Sequence, residues 1–334
     1  MNVNDNTKTI TLRMIQRKVE SLSIIIPVFN EEKALPLFLN TLKPVLKVLE
    51  AKMEVQILFV NNGSTDQTLK LILPEFSEHT MGVLSLSRNF GYEAAIFAGI
   101  ENADTDLFAV IDADGEDNPE YLIDFLNSIV EGNSVAIGIR GVRFESLATR
   151  SFRKFGYRIL SKVSDDSFII DAGNFVMFDK LVKDAVLKEN SNYPFMRSTI
   201  ARSGFKTIKH YYDRSPRLDG KSKYRKMGLL KFAGSGFLST TTWPLRMISY
   251  ATLATVPIVV LIGFAARFLN FGDLPIVSIT VVTTEILISV AIISIYLARI
   301  YKVSLKRPIY FIDPFRTFFH SNFKTSLVLK EDKE

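Results

Sequence analysis

Two long uncharged runs near the carboxyl end limit what this chain can become. Residues 247–266 carry no charge, and residues 274–298 carry only Glu285. A helix rises 1.5 Å per residue, so about 20 residues cover the roughly 30 Å of a bilayer's hydrocarbon core. Buried helices of soluble proteins rarely run so long without charge, and the runs predict two transmembrane helices, at about 247–266 and 275–298. Residues 267–275 between them form a short linker, which makes the pair a hairpin. Glu285, alone within the second span, predicts a packing or oligomer contact, because a carboxyl in lipid needs a partner.

The flanks set an orientation. Lys221, Lys223, Arg225, Lys226, Lys231 and Arg246 precede the first span, and Arg299, Lys302, Lys306 and Arg307 follow the second. Cationic flanks stay on the cytoplasmic side, so the large N-terminal domain and the tail are expected there, with the linker outside. This places the protein in the cytoplasmic membrane. The net charge of +6 suits an anionic leaflet and phosphate-bearing ligands without implying nucleic acid. No cysteine is present, which removes disulfide and thiolate chemistry. Residues 1–20 are basic but lack the apolar core of a signal peptide.

Between this segment and the hairpin, the chain alternates strand and helix signals. Residues 23–28 (Ser-Ile-Ile-Ile-Pro-Val) are continuously apolar and β-branched, as in a strand covered on both faces. A helical pattern opened by Asn30 as N-cap runs to Leu49. Strand signals follow at 55–60, 83–86, 107–111 and 135–139, with helices at about 93–100 and 118–130, the latter capped by Asp117 or Asn118. This is the rhythm of a doubly wound α/β domain, whose ligands bind beyond the carboxyl ends of the strands. The turns after Val28, Val60 and Ile111 would then share one rim. No Gly-x-Gly-x-x-Gly follows the first strand and no Gly-Lys-Ser/Thr loop occurs, which disfavours dinucleotide oxidoreductases and phosphate-loop nucleotidases.

The run 107–111 delivers Asp112, Asp114 and Glu116 at alternating positions. Three carboxylates so close repel one another unless a cation lies between them, and Mg²⁺ or Mn²⁺ takes one or two carboxylates together with substrate phosphates. The stretch reads as a seat for a metal-diphosphate. Further on, residues 147–163 form a basic helical stretch with Arg150. Residues 197–231 hold eleven cations against two anions, a surface for lipid phosphates just before the membrane.

Several separated strings carry a resemblance: Ser23-Ile-Ile-Ile-Pro-Val-Phe-Asn-Glu-Glu32, Asn62-Gly-Ser-Thr-Asp66, Ser85-Leu-Ser-Arg-Asn-Phe-Gly-Tyr-Glu-Ala-Ala95, Asp112-Ala-Asp114 with Pro119-Glu120, Asp171-Ala-Gly-Asn-Phe175 and Arg217-Leu-Asp-Gly-Lys-Ser-Lys-Tyr224. With the hairpin and Lys306-Arg307-Pro308 behind them, they resemble the polyprenyl-phosphate glycosyltransferases of glycosyltransferase family 2. The bactoprenol glucosyltransferase group is the nearest, and dolichol-phosphate mannose synthases are more distant. The resemblance implies a GT-A fold, a Rossmann-like doubly wound cytoplasmic domain, at 21–230. A juxtamembrane amphipathic segment (231–246), the hairpin (247–300) and a cytoplasmic tail (301–334) would follow. It implies inverting transfer of a sugar, glucose first, from a UDP-sugar to undecaprenyl phosphate, with Mg²⁺ or Mn²⁺, in a homo-oligomer, a tetramer by resemblance.

Carried over by position, Asp112, Asp114 and Glu116 match the metal and diphosphate site, and Asp171 lies beside the reacting centre. Pro27, Asn62, Ser64 and Arg88 match nucleotide-sugar contacts; Arg140, Arg150, Arg217 and Lys223 match the residues that hold the donor or acceptor phosphates. Two positions depart from the pattern: Glu116 stands where Gln is usual, and Asn62 where Asp is usual. Asn62 is expected to read uracil through its amide. A processive polysaccharide synthase of the same fold would carry Gln-x-x-Arg-Trp, whereas the single Trp here, Trp243, lies in Thr-Thr-Trp-Pro. The alternative to a UDP-sugar enzyme is the same chemistry with another nucleotide sugar, or a membrane scaffold that binds nucleotide or lipid phosphate without turnover.

Overall fold

The computed structural model describes residues 19–74, 79–141, 172–188, 196–215, 241–269 and 274–327. Its centre is an eight-stranded sheet: β1 (Ser21–Val28), β2 (Glu54–Asn61), β3 (Met81–Ser85), β4 (Leu107–Val110), β5 (Val135–Arg140), β6 (Ala172–Asp179), β7 (Thr207–Tyr212) and β8 (Phe318–Phe319), in the order β7-β5-β6-β4-β1-β2-β3-β8. Every residue of β1 is buried, and its side chains alternate between two cores. Leu22, Ile24 and Ile26 face α1 (Leu35–Glu50) and α4 (Tyr121–Val130), whereas Ile25 faces α3 (Tyr92–Asn102), α5 (Lys180–Lys188) and α6 (Met196–Ser203). A strand so covered is apolar except where a small polar side chain finds a partner, as Ser21 does in Asp106 and Ser23 in Thr105, which is why Ile24–Ile26 read as a continuous run. The short α2 (Thr68–Ile72) completes the first layer.

Strands β3-β2-β1-β4 are parallel neighbours, the arrangement expected of a doubly wound domain. Beyond β4 the sheet is mixed. β6 runs antiparallel to both β4 and β5, and β7 is parallel to β5. The antiparallel β6 brings its first residues to the rim where β4 ends, and β5 and β7 finish there too. One edge of the sheet therefore gathers seven chain segments.

Two helix starts differ from expectation. α1 begins at Leu35 with no side-chain cap, and Asn30 instead adopts φ 55°, its Oδ1 accepting the Thr65 N–H at 2.8 Å. Asn is among the few residues that tolerate this left-handed backbone, so the residue is spent on joining two loops. α4 begins at Tyr121; Asn118 Oδ1 accepts the Glu120 N–H at 3.1 Å, and Asp117 is buried elsewhere in the site.

The apolar runs form α7 (Trp243–Leu269) and α8 (Leu274–Ser304), helices long and apolar enough to cross a membrane. They pack side by side and leave large side chains uncovered, with Leu253 76% and Phe264 64% exposed. Glu285 Oε1 lies 2.9 Å from Thr252 Oγ1 on α7, so its partner is the other helix of the hairpin. The sequence sets 301–334 apart as a tail, but residues 310–327 fold back onto the domain. β8 pairs antiparallel with β3, and Lys324 exchanges backbone hydrogen bonds with the Gln56 side chain at 2.9 Å each.

Candidate active site

The acidic turn follows β4 directly. Asp112 is partly buried and accepts a 2.5 Å hydrogen bond from the Tyr92 hydroxyl at the start of α3. Burial, and then the charge of Asp112, hold that hydroxyl well above its ordinary value, so it remains a donor. The Asp112 carboxyl is itself pushed up to about 7, by burial first and then by the charges of Asp117 and Asp114, against the Tyr92 hydrogen bond and Arg140. Asp114 Oδ1 accepts the Glu116 N–H at 3.0 Å and shapes the turn.

Glu116 does not join Asp112 and Asp114. Its carboxylate pairs with Arg214 just past β7, and the Arg214 Nε also donates to Asp117 Oδ1 at 3.1 Å. Asp117 is 1% exposed and takes a second hydrogen bond, 2.5 Å, from the Tyr212 hydroxyl. The expectation of a three-acid seat is corrected: Arg214 draws Glu116 aside because two buried carboxylates need a cation. Among the described residues no three acidic or histidine side chains cluster to hold a metal alone. Asp112 and Asp114 still fit a hard divalent cation, whose remaining ligands would be phosphate oxygens and water. The crowding that makes Asp112 retain a proton is the condition a cation relieves.

Arg140, at the end of β5, lies against Gly173 of β6, where a Cβ would come within 3.1 Å of its guanidinium. Its Nε, Asn174 Oδ1 and Asp117 Oδ2 are buried without a hydrogen-bond partner among the described residues. Behind them Glu93 accepts from the Met196 N–H at 3.3 Å and lies 3.4 Å from Asn174 Nδ2, while Arg197 donates to Ala172 O at 2.8 Å. Burial raises the Glu93 carboxyl above its usual range, against the opposing charge of Arg197.

On the other side of the rim, the loops after β1, β2 and β3 interlock. Asn30 N donates to Ser64 Oγ at 3.1 Å, and Gly63 sits at φ 74° with no room for a side chain, since a Cβ would lie 2.5 Å from the Arg88 backbone. Asn62 is 4% exposed; its Oδ1 accepts the Phe90 N–H at 3.0 Å and its Nδ2 donates to Gly91 O at 3.1 Å. Both ends of the amide brace the loop that bears Arg88. Ser64 likewise serves the loops. Arg88 is exposed and lies 4.0 Å over the Phe90 ring, available to a ligand. Pro27, near the end of β1, lies past the last residue paired with β4, where its missing N–H breaks no ladder there.

The rim therefore brings together Pro27, Asn62, Ser64, Arg88, Asp112, Asp114, Glu116 and Arg140. Arg150, Asp171, Arg217 and Lys223 lie outside the described residues. Tyr92, Glu93, Asp117, Asn174, Arg197, Tyr212 and Arg214 were not legible as site residues. Tyr92, Glu93 and Asn174 do fall inside the motif strings, which was the available signal.

Two expected results follow from this geometry. An Asn62→Asp carboxylate would still accept from Phe90 but would face the Gly91 carbonyl, turning a hydrogen bond into repulsion. It should lower stability by about 1–3 kcal/mol, read by thermal unfolding, and wild-type stability in that variant would refute the bracing role. For Asp112, the folded chain retains a proton that the unfolded chain, with an ordinary value of 3.8, releases. Metal-free protein should then lose stability as pH rises from about 4 to 7, with no further loss from this group above that window. Asp112→Asn should flatten the slope, and an unchanged slope would refute the assignment.

The site is thus an acid-bearing rim with arginines beside it, on a mixed α/β sheet joined to an apolar hairpin. Residues 23–187 match Glycosyl transferase family 2. The chain is 32% identical to the uncharacterized glycosyltransferase YkcC of Bacillus subtilis (strain 168), over 87% of this chain and 92% of that protein. It is 30% identical to the bactoprenol glucosyl transferase of Shigella phage SfV, over 87% and 97% respectively. Among solved structures it is similar to glucosyl-3-phosphoglycerate synthase from Mycobacterium tuberculosis, crystallised with Mn²⁺, UDP and glucosyl-3-phosphoglycerate. There the TM-score is 0.42 at 15% identity, covering 64% of this chain and 75% of that one. The chain belongs to glycosyl transferase family 2. It is a glycosyltransferase with a GT-A-like mixed α/β catalytic domain.

Proposed function

We propose that this protein is a hexosyltransferase that moves glucose from UDP-glucose to undecaprenyl phosphate at the cytoplasmic face of the membrane, with inversion. The observation that carries the reading is the gathering of Asp112, Asp114 and Arg140 on one rim of a domain that also bears an apolar hairpin, the Arg140 charge acting on the Asp112 carboxyl. The relative named bactoprenol glucosyl transferase supports the lipid acceptor.

A phosphate oxygen of the acceptor attacks the anomeric carbon as the bond from that carbon to the diphosphate breaks, and UDP leaves. The acceptor is a phosphate monoester with a second pKa of about 6, so it is largely dianionic at neutral pH and needs no strong base. Asp171 is assigned to positioning. Arg140, with Arg150, Arg217 and Lys223, offsets the repulsion between two phosphate-bearing substrates, and arginine suits bidentate phosphate contact. Asp112 and Asp114 would hold Mg²⁺ or Mn²⁺, which when bound neutralises charge on the departing diphosphate. Screening nucleotide sugars for nucleotide release with undecaprenyl phosphate tests the donor. UDP-glucose should be used best; a preference for another donor refutes that assignment, and release with none refutes the enzyme reading in favour of a scaffold.

The sheet domain precedes α7, and the chain after α8 docks on the same domain, which supports a hairpin that enters and leaves one membrane face. A cysteine introduced at Asn270 should react with an impermeant thiol reagent from outside, and one at Ser326 should not. The native chain has no cysteine to interfere. The reverse labelling would overturn the orientation.

A further inference from the structure

The segment that follows the hairpin reaches the loops on the donor side of the site. Phe311 O accepts the Ser87 N–H at 2.9 Å, and the Asp313 N–H donates to Ser85 O at 2.8 Å. The Ser85 N–H in turn donates to Thr317 Oγ1 at 3.1 Å. Asp313 Oδ1 accepts the Phe315 N–H at 3.1 Å and closes a 3₁₀ turn, Pro314–Arg316. From that turn the Arg316 Nη2 donates to Ser64 O at 3.2 Å. The Phe311 ring lies 6.0 Å from that of Phe90, the ring under Arg88. One short segment thus touches the turn at 62–66, the end of β3 and the loop that carries Arg88.

We propose that residues 310–317 are a positioning strap for the donor nucleotide, in which Arg316 and Phe311 hold the two donor-side loops in their binding geometry. The inference rests on the nucleotide-sugar reading above. Ordering a loop residue costs about 1–2 kcal/mol of backbone entropy. Loops held beforehand do not meet that cost on binding, and affinity rises accordingly. The nucleotide end of the donor lies away from the breaking bond, so its contacts act equally on ground and transition states. Loosening the strap should weaken donor binding and leave kcat nearly unchanged. The donor site would then depend on chain encoded after the membrane hairpin.

The test compares full-length wild type, Arg316→Ala and Arg316→Lys in detergent. The readouts are Kd for UDP by calorimetry, steady-state kinetics with UDP-glucose and undecaprenyl phosphate, and amide hydrogen exchange. Arg316→Ala should weaken UDP binding and raise the donor KM by about 3- to 10-fold, with kcat and the lipid KM nearly unchanged. Exchange should quicken at the amides of Ser64, Thr65, Ser87 and Phe90. Lys, which still donates to one carbonyl, should recover part of the loss. Wild-type UDP affinity in Arg316→Ala overturns the strap, as does a fall in kcat and thermal stability without a change in Kd. A wild type that binds UDP but transfers from another donor overturns only the glucose assignment. A wild type that binds no UDP overturns the nucleotide reading, and exchange then decides the loop-holding role, with unchanged protection in Arg316→Ala refuting it.

Discussion

Asp114→Asn is expected to lower kcat by about 10²- to 10³-fold while the domain stays folded. Asn keeps the oxygen that accepts the Glu116 N–H at 3.0 Å, so the turn persists and only the charge is lost. Removing one group that stabilises charge in the transition state typically costs a factor of that size. Stability should hold or rise, because the substitution relieves repulsion on Asp112, whose carboxyl the Asp114 charge helps to push up. Steady-state kinetics and thermal unfolding on the same preparation separate the two effects. Full activity in the variant, or in wild type with EDTA, would remove the metal-diphosphate role from this turn.

Arg214→Ala should be the most destabilising single change in the site. Its side chain is 27% exposed and lies between Glu116 and Asp117, themselves 14% and 1% exposed. Truncation takes the guanidinium from both acids, a loss of about 3–5 kcal/mol, moderated where one acid takes up a proton. At about 2–4 °C per kcal/mol for a domain of this size, Tm should fall by roughly 10 °C. Glu116→Gln in the same background should recover part of it by removing one of the stranded charges. A wild-type Tm for Arg214→Ala would show that the pair contributes nothing.

The parts of the fold that were legible are those governed by short-range pattern. β1 to β4 read as apolar runs because helices cover both faces, and the acids after Ile111 read as a site because alternate positions at a strand end share a rim. The resemblance pointed to Arg140, which lies at the end of β5 against Gly173. What escaped was pairing across distance. Tyr92 meets Asp112 across 20 positions, and Arg214 meets Asp117 across 97. No local spacing encodes either contact. The resemblance set Asn62 at the base by position, and no local pattern signalled that its amide also engages the backbone at Phe90 and Gly91. The docked tail did leave a signal: Tyr310, Phe311, Phe315, Phe318, Phe319 and Phe323 within 14 residues is not the composition of a solvated end. Of these, Tyr310, Phe319 and Phe323 pack against the core beside the edge of β3, which β8 covers.

On the function proposed above, this rim transfers a sugar, not a sugar phosphate, to a lipid phosphate. The most direct measurement is the identity of both products from UDP-glucose, undecaprenyl phosphate and Mg²⁺ with purified protein, with nucleotide resolved by chromatography and lipid by mass spectrometry. The products should be UDP and a glucosyl lipid with one phosphorus, formed only when lipid and divalent cation are both present. UMP with a diphosphate-linked lipid, or glucose released to water without lipid, would contradict it.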